Sequence, residues 1–259
     1  MRALGQKKRV TLLILAIALI ALIALVISLP ALLRRGLLGM AMMNAPTPEQ
    51  MYPKAPPMPP PVATPISEML GRFEKLLAQR APSVLASLQP GLSDAEIDAL
   101  ESKHGFKLTP DLRALYRWRN GSVSGTTLAA FPDHHFISLP DAVAERDIVI
   151  QQVKQQTPEQ QRMYAAFAGY REKWLGIVVD AAGDGYFFDP ERAEADGSFF
   201  FHFAEDAAYD FFPAFRNYLA GVLEGHESGI FTFGQFGAET ADFEKAQDVW
   251  NRHSASPPR

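Results

Sequence analysis

The chain has 259 residues and contains no cysteine, which excludes disulfides, thiolate metal sites and cysteine nucleophiles. The only charged residues before Glu49 are six basic ones: Arg2, Lys7, Lys8, Arg9, Arg34 and Arg35. Without these six, 19 basic residues remain against 29 acidic ones, so the rest of the chain carries a net charge of −10. Such an acidic segment repels nucleic acid and favours basic partners. The alternative is that the acidity only keeps the domain soluble.

Residues 10–33 form an uninterrupted apolar run, VTLLILAIALIALIALVISLPALL. At 1.5 Å per residue, a helix of this length spans the ~30 Å hydrocarbon core of a bilayer. The alternative, a cleaved signal peptide, usually has an apolar core of only ~7–15 residues and a small-x-small cleavage site. We therefore predict a transmembrane helix over 10–33. The basic segment 1–9 outweighs Arg34-Arg35, which predicts a cytoplasmic N-terminus, a single-pass inner-membrane protein and a periplasmic domain.

Residues 34–65 are predicted to be a linker, and its part from residue 44 reads NAPTPEQMYPKAPPMPPPVATP. Proline lacks a backbone donor and keeps the preceding residue out of the helical region. The sequence favours an extended spacer of ~3 Å per residue over the alternative, a ligand for a proline-recognising module.

The first elements of the predicted domain are helices. An apolar stripe predicts a helix over residues 66–81. Ser93 and Glu96 form the pattern of a capping box, and Gly105 provides a stop with positive φ. Thr109 and Pro110 then begin a second helix, which ends at Asn120-Gly121.

Strands dominate the middle of the chain. The predicted elements are short strands at 128–131 and 136–139, a helix over 141–153, a helix reaching Tyr170, a hairpin of 174–180 with 186–190, a strand at 199–203, and a helix over 210–223 ended by Gly225. Residues 231–236 are expected to form an edge strand, with an exposed aromatic contact as the alternative. This order predicts an α+β domain over 66–240, followed at 241–259 by a helix end and a tail disordered from Ser254.

A series of short motifs carries a family resemblance. In chain order they are Pro90-Gly91-Leu92, Glu101, Gly105, Leu108, Pro110, Asn120-Gly121, Trp174, Asp180, Gly183-Asp184-Gly185, Asp189, Phe212, Phe215, Tyr218 and Leu219. Their order and spacing over about 66–225 resemble the SUKH superfamily, the Smi/Knr-type domain of cell-wall assembly regulators and bacterial toxin-immunity proteins. Thr109 departs from the pattern, in which proline typically follows leucine directly. The glutamine-rich segment 151–161, the apolar run and the linker are not part of it.

The resemblance implies a mixed or antiparallel sheet packed against helices, in a domain that binds proteins. Bacterial members often neutralise toxins, many of them nucleases. The resemblance also implies a structural role for eleven positions: Gly91, Glu101, Gly105, Leu108, Pro110, Asn120, Gly121, Trp174, Gly183, Gly185 and Phe215.

Three carboxylates near the predicted hairpin, Asp180, Asp184 and Asp189, are the candidate site residues. A calcium loop would need oxygen ligands at alternating positions, which Ala181, Ala182 and Gly183 do not supply. A hairpin turn is therefore favoured, with the three carboxylates available to a basic partner.

Other chemistry is not indicated by the sequence. The six histidines lack a metal-ligand spacing and are predicted to lie on the surface or in turns. The chain has no nucleophile elbow, Walker loop or dinucleotide fingerprint. We therefore predict no catalytic residue, no metal and no cofactor.

The sequence thus predicts a membrane-anchored, non-enzymatic protein-binding domain of immunity or regulatory type. Its expected partner is a protein, for which a basic toxin is one candidate, and not a nucleic acid. The alternatives are an envelope enzyme that acts on cell-wall material through carboxylates, and a structural envelope protein.

Overall fold

The computed structural model describes residues 57–157, 173–193, 197–203 and 208–255. The predicted segments 1–9 and 10–33, most of the linker and the predicted helix before Tyr170 lie outside these residues. Within the described part of the chain, no helix is both long and apolar enough to cross a membrane.

The domain begins with two helices, α1 (Ile66–Arg80) and α2 (Pro82–Ala86), and a short strand, β1 (Leu88–Pro90). The apolar stripe of α1 is buried as predicted, at Met69, Leu70, Phe73 and Leu77. This face packs into the main core of the domain.

The next two helices, α3 (Asp94–His104) and α4 (Pro110–Trp118), confirm both predicted starts and the stop at Gly105. The predicted end of the second helix at Asn120-Gly121 is wrong, because α4 ends at Trp118 and these two residues lie in the strand that follows. Ser93 and Glu96 form a reciprocal capping box, and Gly105 ends α3 with a φ of 66°. The Thr109 side chain accepts a hydrogen bond from the Leu112 amide at the start of α4. Strand β2 (Arg119–Ser122) follows and pairs antiparallel with β1.

Five strands form the central sheet: β3 (His135–Phe136), β4 (Leu175–Val179), β5 (Gly185–Phe188), β6 (Phe199–Phe203) and β7 (Ala208–Phe212). Each strand pairs antiparallel with the next one along the chain, in the order β3-β4-β5-β6-β7. Helix α5 (Leu139–Gln155) follows β3, and the one-turn helix Pro190–Arg192 follows β5. The α+β class and the antiparallel sheet packed against helices are confirmed.

Three predicted elements differ from the structure. Residues 128–131 contain only isolated bridges, at Ala129 and Phe131. Of the strand predicted over 136–139, only Phe136 lies in a strand, and α5 begins at Leu139. The helix predicted from residue 210 begins only at Phe215, because Asp210 to Phe212 belong to β7. Pro213 explains this error, since a residue before proline avoids the helical region.

The last part of the chain adds a helix, a hairpin and a second helix: α6 (Phe215–Glu227), β8 (Phe231–Gly234), β9 (Gly237–Thr240) and α7 (Phe243–His253). Gly225 does not end α6 as predicted; it lies inside the helix against the ring of Phe231. The predicted edge strand is one arm of a separate two-stranded hairpin, with Phe231 buried and Phe236 61% exposed at its turn.

Both ends of the described domain are attached more firmly than predicted. Ser254, the expected start of a disordered tail, is buried, and Ala255 exchanges two backbone hydrogen bonds with Phe211. At the other end, the Asn217 side chain donates to the carbonyl of Pro60 (3.3 Å) and accepts from the amide of Val62 (3.3 Å). The last residues of the predicted spacer therefore lie along the domain.

Two histidines are buried, which contradicts the predicted surface or turn roles for these positions. His202 lies in β6 at 1% exposure, and His226 lies near the end of α6 at 0%. The His226 Nδ1–H donates to the carbonyl of Phe231 (3.1 Å), because a carbonyl oxygen can only accept. Burial lowers the pKa of His226 from 6.5 to about 4, and the positive charge of Arg80 also lowers it.

We expect His226 to make folding sensitive to acid. Its pKa is depressed in the folded state, so its neutral form stabilises the fold above pH 6.5, and this contribution is lost as the pH falls towards 4. The loss amounts to roughly 3 kcal/mol of unfolding free energy. Urea denaturation between pH 7 and pH 4 measures it.

The variant His226→Gln should flatten this pH dependence, because glutamine does not titrate, while His135→Gln provides a matched histidine substitution on the short strand β3. If the unfolding free energy of His226→Gln depends on pH as steeply as that of the unsubstituted protein, His226 does not couple folding to pH.

Candidate functional site

The predicted acidic turn between β4 and β5 is formed. The Asp180 Oδ1 accepts hydrogen bonds from the amides of Ala182 (2.8 Å) and Asp184 (3.0 Å). Gly183 has a φ of 93°, as a tight turn requires. Gly185 does not supply a second positive φ; it is a strand residue whose Cα lies against the backbone of Val178. Asp180 therefore organises the turn through its own side chain.

Asp189 does not share this surface, so the prediction of three carboxylates that meet one partner is wrong for Asp189. Its side chain is 2% exposed and accepts from the amide of Glu191 (3.0 Å), which caps the one-turn helix. Strand β5 separates it from Asp184, a distance of about 16 Å for five residues of extended chain. Nor do the described residues contain a group of three or more His, Asp or Glu side chains placed to hold a metal.

A different site lies between the central sheet and α7, and we call it the aromatic groove. Its floor is a row of paired residues on three neighbouring strands, Tyr186, Phe201 and Asp210. The turn at Pro132 to His134 forms one side, and Phe243 and Trp250 of α7 form the other. The groove is open to solvent and has a volume of ≈400 Å³.

The sides of the groove are fixed by backbone contacts and ring packing. Asp133 has a φ of 63°, and its carboxylate accepts from the amide of Thr240 (3.2 Å), while its own amide donates to the carbonyl of Ala238 (3.0 Å). The ring of Trp250 stacks on Tyr218 at 5.5 Å, which holds α7 against the core. The groove is therefore a preformed feature of the fold.

Two acidic side chains belong to the described lining of the groove. Asp133 and Asp210 line it, and no lysine or arginine is among the described residues that do so. Burial raises the pKa of Tyr186, and the charges of Asp210 and Asp133 raise it further. Lys245, also on α7, pairs with Asp242 at 2.8 Å.

A second groove of ≈360 Å³ runs between β3 and α5. Its lining includes the exposed aliphatic residues Val123 and Ile148, which are 44% and 57% exposed. Burial raises the pKa of Glu145 in its wall, and the charge of Asp141 adds to this effect. Its lining contains fewer aromatic faces than the aromatic groove, which is therefore the stronger candidate site.

Residues 91–221 match the model of the SMI1/KNR4 family, also called SUKH-1, over half of the chain. This chain belongs to the SMI1/KNR4 family. No curated protein matches it. Thr240, Phe243 and Trp250 lie beyond the matched residues, so the α7 side of the aromatic groove comes from a part of the chain that the family model does not cover.

Several positions that the family resemblance made structural lie in close contact with the backbone of another element. Gly91 lies against the carbonyl of Arg117, where a Cβ would collide, and Gly121 has a φ of 76° beside the backbone of Ser138. The Asn120 side chain accepts from the amide of Leu139 (3.0 Å) and so connects β2 to the start of α5. Pro110 occupies the first turn of α4.

Aromatic positions of the pattern lie in the two cores. Trp174 is buried on one face of the sheet, 4.7 Å from the ring of Phe200. Phe215 is buried on the other face, 5.3 Å from the ring of Phe199.

Glu101, a position to which the family resemblance gave a structural role, is a buried carboxylate at 2% exposure. Its carboxylate accepts from the amide of Leu108 (3.0 Å), from Lys107 Nζ (2.7 Å) and from Arg113 (3.4 Å). A single side chain on α3 thus holds the Gly105 to Leu108 connection and the first turns of α4.

The sequence did not identify the groove residues. Asp133 and Trp250 are 117 positions apart and meet only in the tertiary structure. The Pro132-Asp133 pair and the surplus of aromatic residues were the available signals, and Asp210 was assigned to a helix.

Replacing Glu101 with glutamine is expected to lower the unfolding free energy by about 2–3 kcal/mol, because a buried carboxylate with three donors loses its charge. Glutamine keeps the size and one acceptor for the Leu108 amide. Asp98→Asn is the control, since Asp98 contacts the same Arg113 (2.8 Å) from an exposed position and should cost less than about 1 kcal/mol. Chemical denaturation followed by circular dichroism compares the two; equal losses would refute a special role for the buried carboxylate.

Proposed function

We propose that this SMI1/KNR4 protein is a membrane-anchored, non-enzymatic immunity protein that captures a basic protein toxin. Family membership is the observation that carries the proposal, because members are generally non-enzymatic immunity or regulatory proteins and SUKH domains typically bind protein toxins.

Charge supports the choice of a basic partner. The chain after residue 48 carries a net charge of −10, and the aromatic groove presents carboxylates without a lysine or arginine among its described lining residues. Complementary charge accelerates encounter and disfavours acidic competitors. The regulatory alternative within the same family would use the same surface for a cellular protein.

The N-terminal sequence supports the anchor. The apolar run 10–33 is long enough for a bilayer, and the basic residues at positions 2 and 7–9 favour a cytoplasmic N-terminus. The domain is then displayed in the periplasm, where an incoming toxin must pass. The proline-rich linker keeps it at a distance from the membrane.

The anchor is tested by fusions at the C-terminus of the full chain. Alkaline phosphatase is expected to be active and green fluorescent protein dark, because only the former matures in the periplasm. Replacing Arg2, Lys7, Lys8 and Arg9 with glutamine leaves Arg34 and Arg35 as the flanking basic side chains and should reverse both signals if charge sets the orientation. A fluorescent fusion of the unaltered chain would place the domain in the cytoplasm and contradict the proposed orientation.

The binding function is tested with the detergent-solubilised full chain and the purified products of genes that neighbour its own. We expect one basic product to bind, to lose its toxicity on co-expression, and to associate about tenfold more slowly at 0.5 M than at 0.05 M salt, because screening weakens charge attraction. Surface plasmon resonance measures the association rate. Release of soluble fragments from purified cell wall by the protein would favour the envelope-enzyme alternative instead.

A further inference from the structure

We propose that the domain contains a binding site for an extended proline-rich peptide, and that residues 57–62 of the same chain occupy this site. We call these residues the strap; they read PMPPPV and precede α1. The site is built around the side chain of Asn217 on α6. The inference concerns the end of the linker and does not depend on which partner the domain captures.

Asn217 contacts the backbone of the strap with both ends of its side-chain amide. Its Nδ2 donates to the carbonyl of Pro60 (3.3 Å), and its Oδ1 accepts from the amide of Val62 (3.3 Å). These partners fix the orientation of the side-chain amide, because a carbonyl oxygen only accepts and a backbone N–H only donates. One side chain thus recognises two backbone groups that lie two residues apart.

The sequence of the strap suits this contact. Residues 59–61 are prolines, which have no backbone N–H, so the amide of Val62 is the first donor after that of Met58. Met58, Pro59 and Pro60 each precede a proline and therefore avoid the helical region, which favours the extended polyproline conformation. A segment that is already extended loses little conformational entropy when it binds.

Asn217 is a buried polar residue on the core side of α6. It is 1% exposed, and its neighbours Phe215 and Tyr218 belong to the main core. A buried amide lowers the stability of a fold when it lacks hydrogen-bond partners. Because the strap supplies a partner to both polar groups of the amide, the strap accounts for an asparagine at this depth.

Apolar side chains of the strap contact both hydrophobic cores. Val62 packs against the main core, and Met58 packs against the core that contains Trp174 and Phe200 on the opposite face of the sheet. Two apolar side chains therefore flank the hydrogen bonds to Asn217. Backbone hydrogen bonds combined with spaced side-chain contacts are typical of sites that recognise extended peptides.

The helix that carries Asn217 is held in place by the domain itself. Asp111 of α4 accepts hydrogen bonds from the backbone amide of Arg216 (3.2 Å) and from its Nε (2.8 Å). Asp111 is 3% exposed, so water competes little for this pair. The first turn of α6 is thus fixed independently of the strap, and a preformed site binds its ligand with a smaller loss of entropy.

The covalent connection explains why the strap fills the site. Only residues 63–65 lie between Val62 and the first residue of α1, so a detached strap stays within reach of Asn217. A segment on a short tether has an effective concentration of about 1 mM, which disfavours a free peptide of equal affinity at lower concentration. The site is therefore closed in the unsubstituted chain and opens when the strap is weakened.

The experiment uses the full chain in detergent and a fluorescein-labelled peptide with the sequence of residues 57–64, PMPPPVAT. Val62→Pro removes the N–H that Asn217 accepts, and Ala63→Pro places the same residue at the exposed neighbouring position as a matched control. We expect Val62→Pro to bind the peptide about tenfold more tightly than Ala63→Pro or the unsubstituted chain, because its own strap competes less. Fluorescence anisotropy measures binding, and circular dichroism confirms that each variant is folded.

A second variant and a second peptide test the same contact. Val62→Ala keeps the N–H and weakens only the apolar contact, so it should bind the peptide about threefold more tightly than the unsubstituted chain. A peptide with proline in place of Val62 lacks the N–H and should bind Val62→Pro about tenfold more weakly. Equal peptide affinity of the unsubstituted chain and both Val62 variants, or equal affinity of the two peptides, would overturn the proposal.

Discussion

The alternation of side chains along β5, β6 and β7 determines the organisation of this domain. Successive residues of a strand point to opposite faces, so the aromatic-rich segments supply both sides of the sheet. Phe188, Phe199 and Phe212 pair across the three strands and pack with α6 in the main core. Phe187, Phe200 and Phe211 form the matching row on the opposite face, with Trp174. One register therefore produces two cores.

The same register produces the floor of the aromatic groove. Tyr186, Phe201 and Asp210 form the next row on the core face, two residues along from the row that α6 covers. Trp250 stacks on Tyr218 of α6 and on Phe231 of the C-terminal hairpin, and these contacts hold α7 beside this row. The groove is thus an extension of the hydrophobic core towards solvent, with rigid walls and an exposed rim. Such preorganisation reduces the entropy that binding must overcome.

The family match covers the aromatic groove only in part. Its floor lies within residues 91–221, whereas its α7 side lies beyond them. The buried carboxylate of Glu101 belongs to the scaffold, since it connects α3, the following connection and α4.

Local signals in the sequence determined the helices and turns that depend on neighbouring residues: the Ser93–Glu96 capping box, the Gly105 stop, the Thr109-Pro110 start and the Asp180–Gly183 turn. Their energetics involve atoms only a few positions apart, so the spacing of residue types is sufficient. Tertiary structure decided the assignment of Phe211 and Phe212 to a strand, the burial of His202, His226 and Asp189, and the attachment of Ala255. It also assembled the aromatic groove, because strand register and the packing of α7 bring together residues more than 100 positions apart.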